Sequence, residues 1–208
     1  MSYNDKQIQI ISAAEKLFSN HGYDGTSVRD IAEQAGINIA MISYYFGSKE
    51  KLIQAIFEER TRHLTEKIDD LLHDSKLLPF EKMEILIDDY VDRVTQQKQF
   101  YKLMICEQML EKNTVITNLL TELKKKNAAL VEKLILDGQK KKAFKKNIDV
   151  VLLMNTMVGT VMQSFINQNY YKYYNNLENL STEEYQILLK GKISKHIKEL
   201  FKAILSYE

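Results

Sequence analysis

GTSVRDIAEQAGINIAMISYYFGSKEKL, the stretch Gly25–Leu52, reads as two short helices joined by a tight turn and followed at once by a third. That is the layout of a DNA-reading helix-turn-helix. The hydroxyls of Thr26 and Ser27 are placed to cap the first short helix. Val28, Ile31, Ala32 and Ala35 recur at i, i+3, i+4 and i+7, one apolar stripe for packing. Gly36 ends that helix, because glycine takes a left-handed C-terminal conformation at no steric cost. Asn38 is positioned to cap the next helix, whose periodicity buries Ile42 and Phe46 and turns Asn38, Ile39, Ala40, Ser43 and Tyr44 outward. A face of small, apolar and hydrogen-bonding side chains suits a major groove, where methyls and base edges must be approached closely. Ser48 starts the third helix, with Lys49 in its first turn.

Outward from this stretch, the leading helix carries Ile10, Ile11, Ala13, Ala14, Leu17 and Phe18, followed by Gly22-Tyr23-x-Gly25-Thr26-Ser27-Val28-Arg29-Asp30-Ile31-Ala32, Ala35-Gly36-Ile37 and Tyr45-Phe46-x-Ser48-Lys49-Glu50-x-Leu52. With these residues the first quarter of the chain resembles the DNA-binding module of the tetracycline-repressor (TetR/AcrR) family. Cap, turn glycine, core face and following helix agree in order and spacing, which makes the resemblance far more specific than a lone short motif. Members of that family often carry a tyrosine where this chain has Ser43, and Tyr45 falls on a position they often use against a phosphate. The resemblance implies an N-terminal three-helix DNA-binding domain over residues 1–50. It also implies a larger helical domain over residues 51–208 that binds a small inducer and dimerises through the last two helices.

Composition agrees with an all-α chain. Of 208 residues one is proline and seven are glycine, too few for a turn-rich β fold. The single cysteine, Cys106, rules out an internal disulfide and suits a reducing compartment. The polar start MSYNDKQ does not read as a secretory signal, and the most apolar stretch, Ile148–Phe165, is short for a membrane span and interrupted by polar residues. A cytoplasmic protein that does not enter a membrane is expected. The net charge of +1 argues against strong non-specific affinity for nucleic acid, since counterion release scales with the phosphates neutralised. It does not argue against specific binding, in which hydroxyls, backbone N–H groups and helix N-termini also hold phosphates.

Nine helices are expected: Asp5–Asn20, Ser27–Gln34, Asn38–Tyr44, Ser48–His73, Pro79–Gln97, Phe100–Leu110, Thr114–Ala143, Ile148–Asn167 and Thr182–Leu205. Pro79 marks a helix start, and Ser181 with Glu184 has the spacing of a capping box. The lysine-rich run from Lys124 to Lys146 reads as a solvated face rather than a second polyanion site or membrane-surface patch, and the tyrosine tract Asn169–Asn176 as an amphipathic connector near a dimer seam rather than a stacking surface for single-stranded bases. For an effector pocket the adaptable and aromatic side chains of Tyr90, Phe100, Met104, Met109, Met154 and Met157 stand out. His21, His63, His73 and His196 are dispersed, so neither a metal nor a cofactor is expected, and no nucleophile elbow or phosphate-cradling glycine loop points to an enzyme.

The expectation is a homodimeric, ligand-responsive regulator of transcription, a repressor released from double-stranded operator DNA by a small apolar or amphipathic effector. Thr26, Ser27, Tyr45 and Lys49 would hold phosphates, while Arg29, Asn38, Ile39, Ala40, Ser43 and Tyr44 would approach base edges. The alternative is a small-molecule-binding helical protein with little or no DNA binding.

Overall fold

A computed structural model describes residues 3–110 and 114–207. The described residues form helices and no strand: α1 (Asp5–His21), α2 (Val28–Gln34), α3 (Ile39–Phe46), α4 (Lys49–His73), α5 (Pro79–Gln96), α6 (Lys98–Leu110), α7 (Thr114–Lys140), α8 (Val150–Ile166), α9 (Gln168–Tyr174) and α10 (Thr182–Leu205). Among the described residues ten helices stand where nine were expected, because the tyrosine tract is itself a short helix. Two compact units contain them. One runs to Leu64 and includes Gln97–Lys126; the other comprises Thr65–Gln96 and the chain from Asn127 onward.

In the first unit local chemistry sets each helix end. Asn4 and Gln7 form a reciprocal capping box at the start of α1, and Ser27 and Asp30 form another at α2. The end of α2 is a Schellman turn: the Gly36 N–H reaches the Glu33 carbonyl at 3.0 Å and the Ile37 N–H reaches the Ala32 carbonyl at 3.0 Å. Gly36 has φ of 61°, the left-handed region that this turn demands and that side chains resist. Asn38 caps α3 through a bond from the Ala40 N–H, and the Ser48 hydroxyl accepts from the Lys51 N–H at the start of α4. The apolar faces of α1 to α4 then meet those of α6 and α7 in one core that includes Ile11, Phe18, Ile31, Ile42, Ile56 and Phe100.

The second unit packs α5 against α10 and α8. Ion pairs Lys190–Asp92 and Lys198–Asp88, both 2.6 Å, line the α5–α10 seam. The Ser181–Glu184 capping box opens α10 as expected, and Pro79 opens α5. The Tyr185 hydroxyl donates to the Gln168 carbonyl at 3.1 Å and its ring lies 4.3 Å beneath the Lys172 ammonium, which docks α9 onto α10. Helix α7 stops at Lys140 rather than Ala143, because the chain folds back. Lys142 takes φ of 56°, and the N–H groups of Ala143 and Phe144 both donate to the Gly138 carbonyl. Phe144 is thereby buried against Gly138 and against Phe80, whose ring centroid lies 4.9 Å away. Among the described residues no single helix is long and apolar enough to cross a membrane.

A Cβ on Gly138 would stand 2.1 Å from the Phe144 ring. Gly138→Ala is therefore expected to cost about 1–3 kcal/mol through overpacking, despite the better helix propensity of alanine. Urea unfolding midpoints of the variant and the parent check this.

Candidate nucleic-acid interface

The recognition helix is presented as its periodicity requires. Ile42 and Phe46 are buried, Met41 and Tyr45 are half-buried, and Asn38, Ile39, Ala40, Ser43 and Tyr44 are exposed. Tyr44 projects furthest, at 81% of its full accessibility, with its ring set edge-on against Tyr45 at 5.0 Å. Two aromatic rings, two small residues and one branched aliphatic side chain thus share one end of the module. Asn38 has its Oδ1 engaged by the Ala40 N–H at 2.8 Å, and its amide group still carries two donor hydrogens. A donor of that kind matches purine N7, guanine O6 or thymine O4. Arg29 on α2 is exposed on the same module.

Three of the residues expected at phosphates have other work. Thr26 is buried, and its hydroxyl donates to the Gly22 carbonyl at 2.9 Å, so it neither caps α2 nor faces solvent. Ser27 is the cap alone. Its hydroxyl donates to Asp30 Oδ2 at 2.7 Å and accepts from the Asp30 N–H, which commits the one hydrogen a hydroxyl owns. These bonds, the hydroxyl first and the Ser27 N–H second, hold the Asp30 carboxyl below its ordinary range. Their contribution is accordingly present at neutral pH and fades as acid protonates the folded-state carboxyl.

Lys49 also has partners within the fold. Its Nζ donates to the carbonyls of Tyr23 and Thr26, each at 2.8 Å, and lies 4.2 Å from the centroid of the Tyr23 ring. Two of the three ammonium donors are thus engaged, and the Tyr23 ring offers the cation a π face. Burial and then the Glu50 carboxylate raise the Tyr23 phenol above its ordinary range, so the ring stays neutral under this cation. Two further residues stand beside this region. Lys51 is exposed two residues further on, and its side chain runs beside Gly47, the residue that closes α3. Glu107 on α6 is buried and accepts from the Tyr23 N–H at 3.0 Å. The exposed position of Lys51 is readable from helix periodicity. The Glu107 bond, across 84 positions, leaves no local signal.

The residues expected around an effector fall in both units. In the first, Phe100 is core, its ring 5.2 Å from that of Phe57, and Met104 packs partly buried against the same cluster. Met109 is 81% exposed, which removes it from any enclosed site. In the second, Tyr90 and Met157 are buried on α5 and α8, and Met154 is half-buried. No group of three or more His, Cys, Asp or Glu side chains among the described residues stands close enough to hold a metal ion.

Known proteins share this geometry. The pattern of bacterial regulatory proteins of the tetR family matches residues 10–56, and that of the tetracyclin repressor-like C-terminal domain matches residues 79–186. The fatty acid metabolism regulator protein of Bacillus subtilis is 25% identical over 190 residues, covering 89% of this chain and 95% of that protein. Two solved structures share the fold. The fatty acid degradation regulator FadR of Bacillus halodurans has a TM-score of 0.68 at 24% identity, over 95% of this chain and 97% of its own. FadR of Bacillus subtilis, crystallised in complex with stearoyl-CoA, has a TM-score of 0.64 at 21% identity, over 91% and 96%. Since the two family patterns together span most of the chain, with the recognition helix inside the first, the protein belongs to the tetR family of bacterial regulatory proteins and is a DNA-binding regulator of transcription.

Proposed function

We propose that this chain is a homodimeric repressor that leaves its operator when an amphipathic molecule with a long acyl chain binds. The observation that carries DNA reading is the exposed row Asn38, Ile39, Ala40, Ser43 and Tyr44 on a helix anchored by buried Ile42 and Phe46. Arg29 adds a long cationic donor from α2. Tyr45 and Lys51 supply phosphate contacts at the end of α3 and the first turn of α4. Lys49, Thr26 and Ser27 act one step back, by fixing the loop from which α2 starts. Residues 1–50 form the DNA-reading part in this account, and residues 51–208 carry the effector and dimer functions.

Dimerisation is assigned to α8 and α10. Val151, Leu152, Val158 and Ile166 on α8 and Ile187 on α10 are exposed, and a Cβ on Gly159 or Gly191 would meet no atom within 4 Å. Large apolar side chains beside bare backbone favour close helix-to-helix approach by a second copy about a two-fold axis. The two recognition helices then sit about 34–36 Å apart, one turn of duplex. Support for an acyl effector comes from the relative named for fatty acid metabolism, whose match extends over nearly the whole chain. Release needs only a population shift. An effector with higher affinity for a form with different helix spacing lowers operator occupancy by that differential affinity. Within the first unit the packing of α1 on α6, with the Glu107–Tyr23 bond, gives α6 a direct hold on the loop before α2.

The roles assigned to the two lysines separate by salt dependence. Lys51→Met should weaken binding to every sequence and lower the slope of log K against log salt by about one for each phosphate left without its cation. Lys49→Met should weaken binding and leave that slope unchanged, as measured by fluorescence anisotropy from low to moderate salt. Asn38→Asp keeps the cap oxygen and removes the donor. It should preserve helicity by circular dichroism and alter the ranking of single-base operator variants by about 1–3 kcal/mol at one position. The proposed function as a whole is tested by band shifts of the chain's own upstream DNA with and without palmitoyl-CoA: a retarded band that the ligand dissolves is expected. No retarded band at any protein concentration would overturn the DNA-binding role.

A further inference from the structure

Arg93 lies on α5 in the second unit and is buried. Its Nε donates to Asp89 Oδ2 at 2.8 Å, and its Cζ lies 5.9 Å from the centroid of the Tyr90 ring. Its Nη2 is also buried, and no protein acceptor among the described residues reaches it. A guanidinium cannot escape such a position by losing its proton, so a buried Nη2 asks for an oxygen from elsewhere.

On the reading that the effector is an acyl amphipath, we infer that Arg93 Nη2 is the donor that recognises the acyl carbonyl oxygen. Electrostatics selects the class of head group. Asp89 already balances the charge of Arg93, their side chains being 14% and 8% exposed. A neutral carbonyl oxygen, as in a thioester, satisfies Nη2 without importing charge. A free carboxylate would set a second anion beside Asp89 at low dielectric, where like charges repel strongly. The apolar chain has Tyr90 next to the guanidinium and Met157 on α8, which packs against α5. Methionine and tyrosine surfaces accept a flexible alkyl chain without demanding one shape. The arrangement therefore reads the oxygen at the head of the chain and is tolerant along its length.

The test uses the full-length chain and two probes that differ only in that oxygen: palmitoyl-CoA and S-hexadecyl-CoA, the thioether in which a methylene replaces the carbonyl. Isothermal titration should give the thioester about tenfold or greater advantage, the worth of a hydrogen bond to a charged donor. Arg93→Met, which keeps length and removes the donor, should bring the two probes to equal affinity. Equal binding of thioester and thioether by the parent chain, which needs no variant, would overturn the inference while leaving an acyl effector standing. So would an advantage that survives in a folded Arg93→Met protein. Binding of neither probe would remove the acyl effector itself and the role of Arg93 with it.

Discussion

The ammonium of Lys49 holds the DNA-reading module together. By bonding the carbonyls of Tyr23 and Thr26 while resting on the Tyr23 ring, it ties the first turn of α4 to the loop from which α2 departs. The same loop is held as well by the Thr26 hydroxyl on the Gly22 carbonyl, the Glu107 carboxylate on the Tyr23 N–H, and the Tyr23 ring against Phe18. Because the Schellman turn at Gly36 rigidly joins α2 to α3, the direction of α2 sets the direction of the recognition helix. A half-buried cation with good geometry is thus a positioning device for side chains that it does not touch.

This arrangement explains how a nearly neutral chain serves as a DNA reader. Several polar groups of the module are spent on caps and on the loop, and Asp30 adds a negative charge at the start of α2. Non-specific attraction to phosphate is correspondingly weak. In the proposed role, discrimination would come from close fit by Ile39, Ala40, Ser43 and Tyr44 and from the donors of Asn38 and Arg29. In the proposed dimer, two such surfaces would multiply a modest discrimination into a useful one.

Much of the fold is legible in the sequence because helix boundaries are local chemistry. Ser27 with Asp30, Gly36, Asn38, Ser48, Pro79 and Ser181 with Glu184 act within four residues of themselves, and each stands where its residue type demands. What cannot be read there depends on distant partners. Lys49 reads as a phosphate ligand because nothing in a linear string shows two carbonyls more than twenty residues away. Thr26 reads as a cap because its neighbour Ser27 has the same chemistry, and only packing decides which of the two turns inward. Met109 and Phe100 show the same limit from opposite sides, one exposed and one sealed in a core, although both carry adaptable apolar surface. The helix α9 escapes a sequence reading because seven residues rich in tyrosine have weak intrinsic preference for helix. The dock that Tyr185 and Lys172 supply to it is tertiary.

The effector side follows the same division. Apolar periodicity marks which faces of α5 and α8 turn inward, but the incomplete satisfaction of Arg93 is a property of three-dimensional packing. Duplex recognition by paired copies of α3 is the claim on which the other roles rest. The most direct measurement is selection of bound duplexes from a fully random pool by the purified chain, followed by sequencing. Enrichment of a two-fold symmetric site, with half-sites about ten base pairs apart, is the predicted result. A pool that stays random through successive rounds, or that enriches single half-sites without symmetry, would contradict it.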